Sequence, residues 1–546
     1  MSNRVIALWL DGFDMALADA YRLPNLDRLQ KSGLVATLDH GTAHLTGLTG
    51  EHLSSGLDPD AAARASAVRF DPRSYTCVQE GSRLDPAFGG VRTIMFDLAY
   101  FDLDRTSNDV VGISDWGVHD PGGRPRARPA SLKHEIENRF GTYPARRWIY
   151  GVPWSSSGNC TKMGRDLSKA AEARGRIAQW LLTERFSDWE LALVGFSESH
   201  SASEGLFHGA DAGHPWASIP SAPAAAEALH SVYAAVDCAV GEIVDAFPND
   251  TVLVFSMHGM GPNSSDVPSM ALLGELMVRW SGFDLEAGRP FVCDSNGIPK
   301  LPARASWTSA VLESLTGQRS SRHHRIVGML KGAIPDRLRR RLSGLRRTVP
   351  TSSDESSLSW MPLMRHRHRW ARMRAFALPS FYDGRIRVNL AGREVSGIVS
   401  IDGYNATLDE IEAMLRACTE PRTGSPVVAA IERTKGDPFA RADDDVDMVV
   451  HWAPNVLGVA HPELGVIGPL PPRRMGGHTS SIGRCVIVGR DVEPVHLGVR
   501  SSFDVVPTIL NLVSSHTSAR VSGRALIGAR SEATEDSDSG DRVSPR

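Results

Sequence analysis

Side chains that can bind a metal ion or move a proton follow three apolar stretches of this chain. The first stretch, Val5–Leu10, ends on Asp11, the second opens into a polar segment that contains His200 and Glu204, and the third ends at His258. Taken alone, Asp11 fits the cap of a turn equally well. Three strand ends of this kind together are typical of a metal or polar catalytic centre at one edge of a parallel sheet.

Two further candidates lie in loops. Thr46 belongs to a polar stretch at 41–59 whose small residues favour a loop that leads into a helix N-terminus, where free backbone N–H groups attract an anion. A threonine at such a place is either an N-cap or a nucleophile, and the local sequence leaves both open. His478 lies in a glycine-bounded loop before an apolar strand at 485–488.

Alternating strands and helices must position these residues. Short apolar runs predict buried strands, and apolar residues at helical spacing predict helices at 168–186 and 222–247. This alternation predicts an α/β fold. With 546 residues the chain is too long for one simple core, so it forms several domains or one large domain with insertions.

The regular apolar order stops after residue 265 and returns at residue 375. We therefore place the first part of the catalytic α/β domain at 1–265, an insertion or lid that is partly helical and basic at 266–374, and the second part at 375–515. The C-terminal segment, 516–546, ends in a polar tail that should be disordered.

The insertion contains a basic stretch. Between Arg319 and Arg347 there are ten Lys and Arg residues and a single acidic one, Asp336, and leucines at helical spacing predict an amphipathic helix. Such a helix is a solvated lid or packing helix, or it contacts an anionic lipid surface or a polyanionic substrate.

Composition narrows the class of protein. Hydrophobic residues make up 42% and charged residues 23% of the chain, and the net charge is −3, which excludes wholesale disorder and gives no global case for nucleic acid. The six scattered cysteines suggest neither a disulfide framework nor a thiolate zinc site. The chain shows no signal-peptide pattern and no apolar run of the ~20 residues that span a bilayer, so we expect a cytoplasmic protein.

Taken together, the motifs resemble those of the alkaline phosphatase superfamily, and more closely its type I phosphodiesterase/nucleotide pyrophosphatase branch. No single motif is specific, but their order along the chain is. The matching segments are Leu10-Asp11-Gly12, Leu23-Pro24-Asn25-Leu26, Leu45-Thr46 with Gly56-Leu57-Asp58-Pro59, 198–204, Tyr233 with Asp237 and Gly241, Phe255-Ser256-Met257-His258-Gly259, Gly476-Gly477-His478 and 504–510.

The resemblance implies a three-layer α/β/α fold with a mainly parallel central sheet, and a phosphoryl-transfer centre with two adjacent divalent metal ions, commonly zinc. Carried over residue by residue, Thr46 would be the nucleophile that forms a covalent phospho-threonine. The implied metal ligands are Asp11, Thr46 and His258 at one site, with Met257 in the place of the usual aspartate, and His200, Glu204 and His478 at the other.

This chain departs from the family pattern at both sites. His200 and Glu204 exchange an imidazole and a carboxylate between positions four residues apart, and with His478 they still supply three N/O ligands. Met257 is the larger change, because a thioether is a poor substitute for a carboxylate toward zinc or manganese. One or two metal ions are therefore expected, and the Asp11 site is in doubt.

The main prediction is a metal-dependent hydrolase of a small phosphate ester, more consistent with a diester than with a monoester. The alternatives are a pseudoenzyme that binds a phosphorylated ligand without turnover, or a relative of the sulfatases or phosphomutases. The sulfatase motif is absent around Thr46, and the resemblance to phosphomutases would place a serine there. The sequence identifies neither the substrate nor the oligomeric state.

Overall fold

The computed structural model describes residues 4–118, 125–149, 156–285, 288–300, 306–317, 358–513 and 520–527. The predicted basic helix near residue 340, the whole basic stretch from 319 to 347 and the polar tail lie outside the described residues.

A nine-stranded sheet forms the centre of the fold. From one edge to the other its strands are Val495–Ser501, Leu34–Asp39, Ile482–Val488, Thr251–Ser256, Val5–Leu10, Leu191–Phe196, Thr93–Phe96, Val110–Ser114 and Arg126–Arg128. Ile482–Val488 and the edge strand Arg126–Arg128 run antiparallel to their neighbours, and the other pairs are parallel. The sheet is therefore mainly parallel, as predicted.

Both faces of this sheet are covered. Along Val5–Leu10 every residue is buried, with Ile6, Leu8 and Leu10 in one hydrophobic cluster and Val5, Ala7 and Trp9 in another. Successive side chains of a strand point to opposite faces, so these two clusters are the two outer layers of the core. The three-layer α/β/α arrangement is confirmed.

Long helices make the layer on the first face. Ser157–Trp180 and Ala222–Ala246 match the predicted helices at 168–186 and 222–247, although the first begins earlier and continues into a π-turn at Leu181–Arg185. The other helices are Met15–Tyr21, Pro24–Ser32, Thr49–Ser55, Pro59–Ala62, Leu132–Phe140, Glu198–Leu206, Leu273–Trp280, Trp307–Thr316, Ile401–Arg416 and Val505–Leu512.

A second, antiparallel sheet lies in the later part of the chain. Its strands, in spatial order, are Ala375–Leu378, Gly384–Val388, Met448–Trp452 and Val428–Arg433. Buried residues of this sheet, of Leu273–Trp280 and of Ile401–Arg416 belong to a third hydrophobic cluster. The segment predicted to continue the catalytic domain thus contributes to two sheets, and the domain bounds stay predictions.

The other described strands form three two-stranded antiparallel sheets. Two are hairpins, Val68–Asp71 with Thr76–Gln79 and Val459–His461 with Gly465–Ile467, and the third pairs the distant segments Gly259–Pro262 and Gly476–Ser480. Among the described helices none is both long enough and apolar enough to cross a bilayer.

Candidate functional site

The predicted site residues lie at the carboxyl edge of the central sheet. Val5–Leu10 pairs in parallel with Leu191–Phe196 on one side and with Thr251–Ser256 on the other, so the three chains leave the sheet side by side. Asp11 follows the middle strand and His258 follows one neighbour. The edge prediction made from the strand tips is confirmed in its geometry.

His200 and Glu204 lie on the helix Glu198–Leu206, which begins directly after the strand Leu191–Phe196. Because they are four residues apart, one helical turn places both side chains on the same face. His478 arrives from a distant part of the chain, where Gly476–Ser480 pairs antiparallel with Gly259–Pro262. This pairing places His478 next to His258, with ring centroids 4.5 Å apart.

His200 is the centre of the contacts. Its Nδ1 lies 2.9 Å from Asp11 Oδ2, and its Nε2 lies 3.3 Å from His478 Nε2 and 3.5 Å from Glu204 Oε1. All four side chains are buried. The structure therefore brings Asp11, His200, Glu204 and His478 into one contact network.

Thr46 lies in the turn that leads into the helix Thr49–Ser55, and its hydroxyl is hydrogen bonded within that turn. The residue follows the short 3₁₀ helix Gly41–Leu45, and its Oγ1 donates to the Ala43 carbonyl at 2.8 Å and accepts from Leu48 N at 3.2 Å. A nucleophilic attack requires this hydroxyl to leave the Ala43 carbonyl. The nucleophile role of Thr46 stays a prediction.

A cavity of about 230 Å³ opens above the network. Asp11, His200, Glu204 and His478 line it, and the segment after Thr46 lines it through Gly47, Thr49 and Gly50. The remaining lining side chains include Tyr382, Trp360, Arg473 and Arg474. The cavity therefore presents two arginines, imidazoles and carboxylates to one small ligand.

Arg474 is the strongest electrostatic feature of the cavity. It is buried, its Nε and Nη2 donate to Asp266 at 2.8 and 2.5 Å, and its Nη1 donates to Glu204 Oε1. Burial lowers the pKa of the guanidinium, but the adjacent Asp266 and Glu204 outweigh burial and raise it well above its ordinary value. Arg474 is therefore a permanent cation inside the site.

The three imidazoles titrate differently. Burial lowers the pKa of His200, but the carboxylates of Asp11 and Glu204 outweigh burial and raise it to about 10. Burial lowers the pKa of His258 to about 4 and that of His478 well below its ordinary value. At neutral pH His200 is therefore cationic, while His258 and His478 are neutral.

The first implied metal set, Asp11, Thr46 and His258 with Met257 in the place of an aspartate, does not fit a divalent ion. The Met257 side chain belongs to a hydrophobic core cluster, and Asp11 is hydrogen bonded to His200. His258 Nδ1 lies 2.9 Å from the Gly259 carbonyl, which leaves Nε2 buried and without a hydrogen-bond partner within the described part of the chain. One imidazole nitrogen of this set is left to bind an ion.

The second implied metal set, His200, Glu204 and His478, makes direct contacts, but its one carboxylate already forms an ion pair with an arginine. Glu204 Oε1, the oxygen nearest His200 Nε2, is the same atom that Arg474 Nη1 contacts. Within the described residues no three His, Cys, Asp or Glu side chains form a group that could hold a metal ion. The residues therefore do not fit the two-metal centre that the resemblance implies, and the ligand roles of Asp11, Thr46, His200, Glu204, His258 and His478 stay predictions.

Glu198 is excluded as a replacement for the missing carboxylate. Both of its oxygens accept from Arg174 Nε at 3.0 Å, and both side chains are completely buried. It therefore binds an arginine from the helix Ser157–Trp180.

Sequence reasoning missed two cavity residues, Tyr382 and Arg474. Tyr382 stacks on His478 with ring centroids 4.2 Å apart and an interplanar angle of 17°, and it comes from the second sheet region. No local pattern marks it. Arg474 lies four residues before His478, and a basic pair separated from the Gly-Gly-His segment by one residue was the available signal.

No protein-family model matches the sequence, and no curated protein shows significant similarity to it. Among solved structures, the fold is similar to phosphonoacetate hydrolase from Sinorhizobium meliloti 1021 in complex with phosphonoformate, with 13% identity, 94% of this chain and 96% of that chain covered, and a TM-score of 0.46. It is also similar to an inactive form of murine ectonucleotide pyrophosphatase/phosphodiesterase 5 in complex with AMP, with 9% identity, coverage of 95% and 97%, and a TM-score of 0.45.

The human ectonucleotide pyrophosphatase/phosphodiesterase 5 structure shows 10% identity, the same coverage of 95% and 97%, and a TM-score of 0.41.

Proposed function

We propose that this protein is a phosphoric ester hydrolase that binds a small phosphate ester, preferably a diester, in the cavity at the carboxyl edge of the central sheet. One observation carries the proposal. Asp11, His200, Glu204 and His478, predicted from separate parts of the sequence, line one cavity together with two arginines. Buried cations that face a cavity favour an anionic ligand and stabilise charge that develops on it.

Each part of the site has a proposed role. The Arg473 guanidinium, which lines the cavity, attracts the phosphoryl oxygens, while Arg474 neutralises Glu204 and Asp266 beside it. Thr46 Oγ1 attacks phosphorus, which forms a phospho-threonine and expels the alcohol, and water then cleaves this intermediate and releases phosphate or a monoester. Zinc or manganese is the cofactor that the resemblance implies, but the described residues of the two implied ligand sets do not fit it, so each role falls to a side chain of the protein.

A second candidate, ligand binding without turnover, is favoured by two specific observations. Met257 lies in the core where the resemblance implies a carboxylate ligand, and the Thr46 hydroxyl is engaged with the Ala43 carbonyl. Both features weaken catalysis but leave the cavity and its arginines in place.

A substrate panel distinguishes the two candidates. The purified chain is assayed on nucleotide, phospholipid-headgroup and sugar phosphodiesters, with added zinc, added manganese or a chelator. Hydrolysis that is lost in Thr46→Ala supports the proposed enzyme. Binding of a phosphate ester by calorimetry with no turnover under any condition supports the binding protein.

Thr49→Val is the matched control for the nucleophile. Thr49 lines the same cavity, and its Oγ1 is buried and without a hydrogen-bond partner among the described residues. Valine preserves the shape of this side chain and removes its hydroxyl. Hydrolysis that survives Thr46→Ala but not Thr49→Val would overturn the role proposed for Thr46.

A further inference from the structure

The charge balance of the cavity differs from that of a two-metal centre. Two buried carboxylates beside the cavity, Glu204 and Asp266, both contact the Arg474 guanidinium. A divalent ion binds where carboxylates lack a cation of their own. Here the protein supplies that cation itself.

Arg474 is the cation that neutralises both carboxylates. Its three donor nitrogens are divided between Glu204 and Asp266, and the side chains of all three residues are at most 3% exposed. Removing these carboxylates from water is costly unless a cation neutralises them. The arginine is therefore required for the buried state of both acids.

The position of Arg474 disfavours a divalent cation at the same carboxylate. Glu204 Oε1, the oxygen that lies 3.5 Å from His200 Nε2, also contacts Arg474 Nη1. A zinc ion bound to His200, His478 and this oxygen would lie next to the guanidinium. A divalent charge and a guanidinium this close together in a buried site repel each other strongly.

We infer that Arg474 takes the place of a divalent cation in this site. Its ion pair with Glu204 prevents zinc from binding to His200, Glu204 and His478, and the cavity binds a phosphate group without a metal ion. The zinc part of this inference stands on the contacts alone. The phosphate part rests on the proposed function.

Zinc affinity of four proteins tests the inference directly. We compare the native chain with Arg474→Gln, Arg473→Gln and the double variant Glu204→Gln/Arg474→Gln by chelator-competition titration and by thermal melting with added zinc. Arg474→Gln frees Glu204 and is expected to bind zinc at least ~10-fold more tightly than the native chain, in the range by which groups around metal ligands alter affinity. Its melting temperature should rise with zinc.

The matched variants locate the effect. Arg473→Gln removes a cation from the same cavity but leaves the contact between Arg474 and Glu204, so its gain should be much smaller. The double variant with Glu204→Gln should lose the gain. Equal zinc affinity of the native chain and Arg474→Gln, or a gain that survives Glu204→Gln, would overturn the inference.

A folding control keeps the test decisive. Because Arg474→Gln removes the arginine contact of both Glu204 and Asp266, the double variant Asp266→Asn/Arg474→Gln, which removes one charge of each sign, is measured alongside. If the single variant does not fold, this double variant must show the zinc gain.

Inorganic phosphate tests the second part. Phosphate should raise the melting temperature of the native chain equally with a chelator and with zinc. Stabilisation that appears only with zinc would refute metal-free binding. If phosphate does not bind under any condition, the proposed function fails, and the zinc comparison still decides the role of Arg474.

Discussion

The aromatic ring of Tyr382 lies parallel to the imidazole of His478, with centroids 4.2 Å apart and the phenol oxygen 3.4 Å from His478 Nε2. Tyr382 comes from the turn between two strands of the antiparallel sheet, Ala375–Leu378 and Gly384–Val388. A residue of the second sheet therefore fixes the orientation of an imidazole at the edge of the first.

Removing this stack should impair the site more than removing the hydroxyl. We expect Tyr382→Leu to lower kcat/KM for the best ester by ~10-fold or more, because a misplaced side chain in an active site has effects of this size. Tyr382→Phe keeps the stack and should lose only a few-fold. Steady-state kinetics of both variants make the comparison. Equal losses would show that the hydroxyl, and not the stack, is what matters.

The stability of the fold should fall in mild acid because of His52. This side chain is buried, its Nδ1 lies 3.2 Å from His40 Nε2, and burial lowers its pKa from 6.5 to about 3. The unfolded chain takes up a proton below pH 6.5 while the folded chain does not, so the free energy of unfolding decreases as pH falls. The decrease should approach ~1.4 kcal/mol per pH unit for this one group between about pH 6 and pH 4.

Urea unfolding at stepped pH measures this effect. His52→Asn removes the titrating ring, and its stability should fall less steeply with acid than that of the native chain. Parallel curves for the two proteins would assign the acid sensitivity to other groups.

The ion cluster around Arg174 should be essential for stability. Arg174 donates to Asp97 at 2.9 Å and to Glu198 at 3.0 Å, and the three side chains are completely buried. Arg174→Met leaves two buried carboxylates without a cation, and we expect a loss of ~3–5 kcal/mol in the free energy of unfolding. Arg176→Met, on the exposed face of the same helix, is the control and should change stability by less than ~0.5 kcal/mol.

Placing at position 257 the carboxylate that the resemblance implies should not create a metal site. Met257 is buried among apolar side chains, so Met257→Asp places an acid in the core. This change should lower the free energy of unfolding by ~3 kcal/mol or more. Met257→Leu keeps the volume and should be nearly neutral. Thermal melting with and without zinc measures both. Zinc-dependent rescue of Met257→Asp would contradict the packing seen for this side chain.

The parts of the fold that follow from local pattern were predictable. The buried strands around Asp11, His200 and His258 are continuous apolar runs, and the rule that parallel strands end at one edge brings their polar tips together. The helices Ser157–Trp180 and Ala222–Ala246 have a strong apolar period. Their existence was predictable, but the first begins about a dozen residues before the predicted start.

Contacts between distant segments could not be read from the sequence. Glu204 forms an ion pair with Arg474, 270 positions away. The periodicity of the sequence does not indicate a pair at this separation. Glu198 is likewise paired with Arg174, which belongs to another helix. The antiparallel sheet was hidden for the same reason, since the pairing of Gly384–Val388 with Met448–Trp452 spans an intervening helix.

The late position of Ile482–Val488 in the chain has a consequence for biosynthesis. This strand lies between Leu34–Asp39 and Thr251–Ser256, so the sheet has a gap at that place until residues 482–488 have left the ribosome. Arg474 and His478 emerge just ahead of it. A nascent chain that stops short of them holds Asp11 and His200 but lacks Arg474 and His478, so the proposed site is completed only after more than two hundred residues have followed His258.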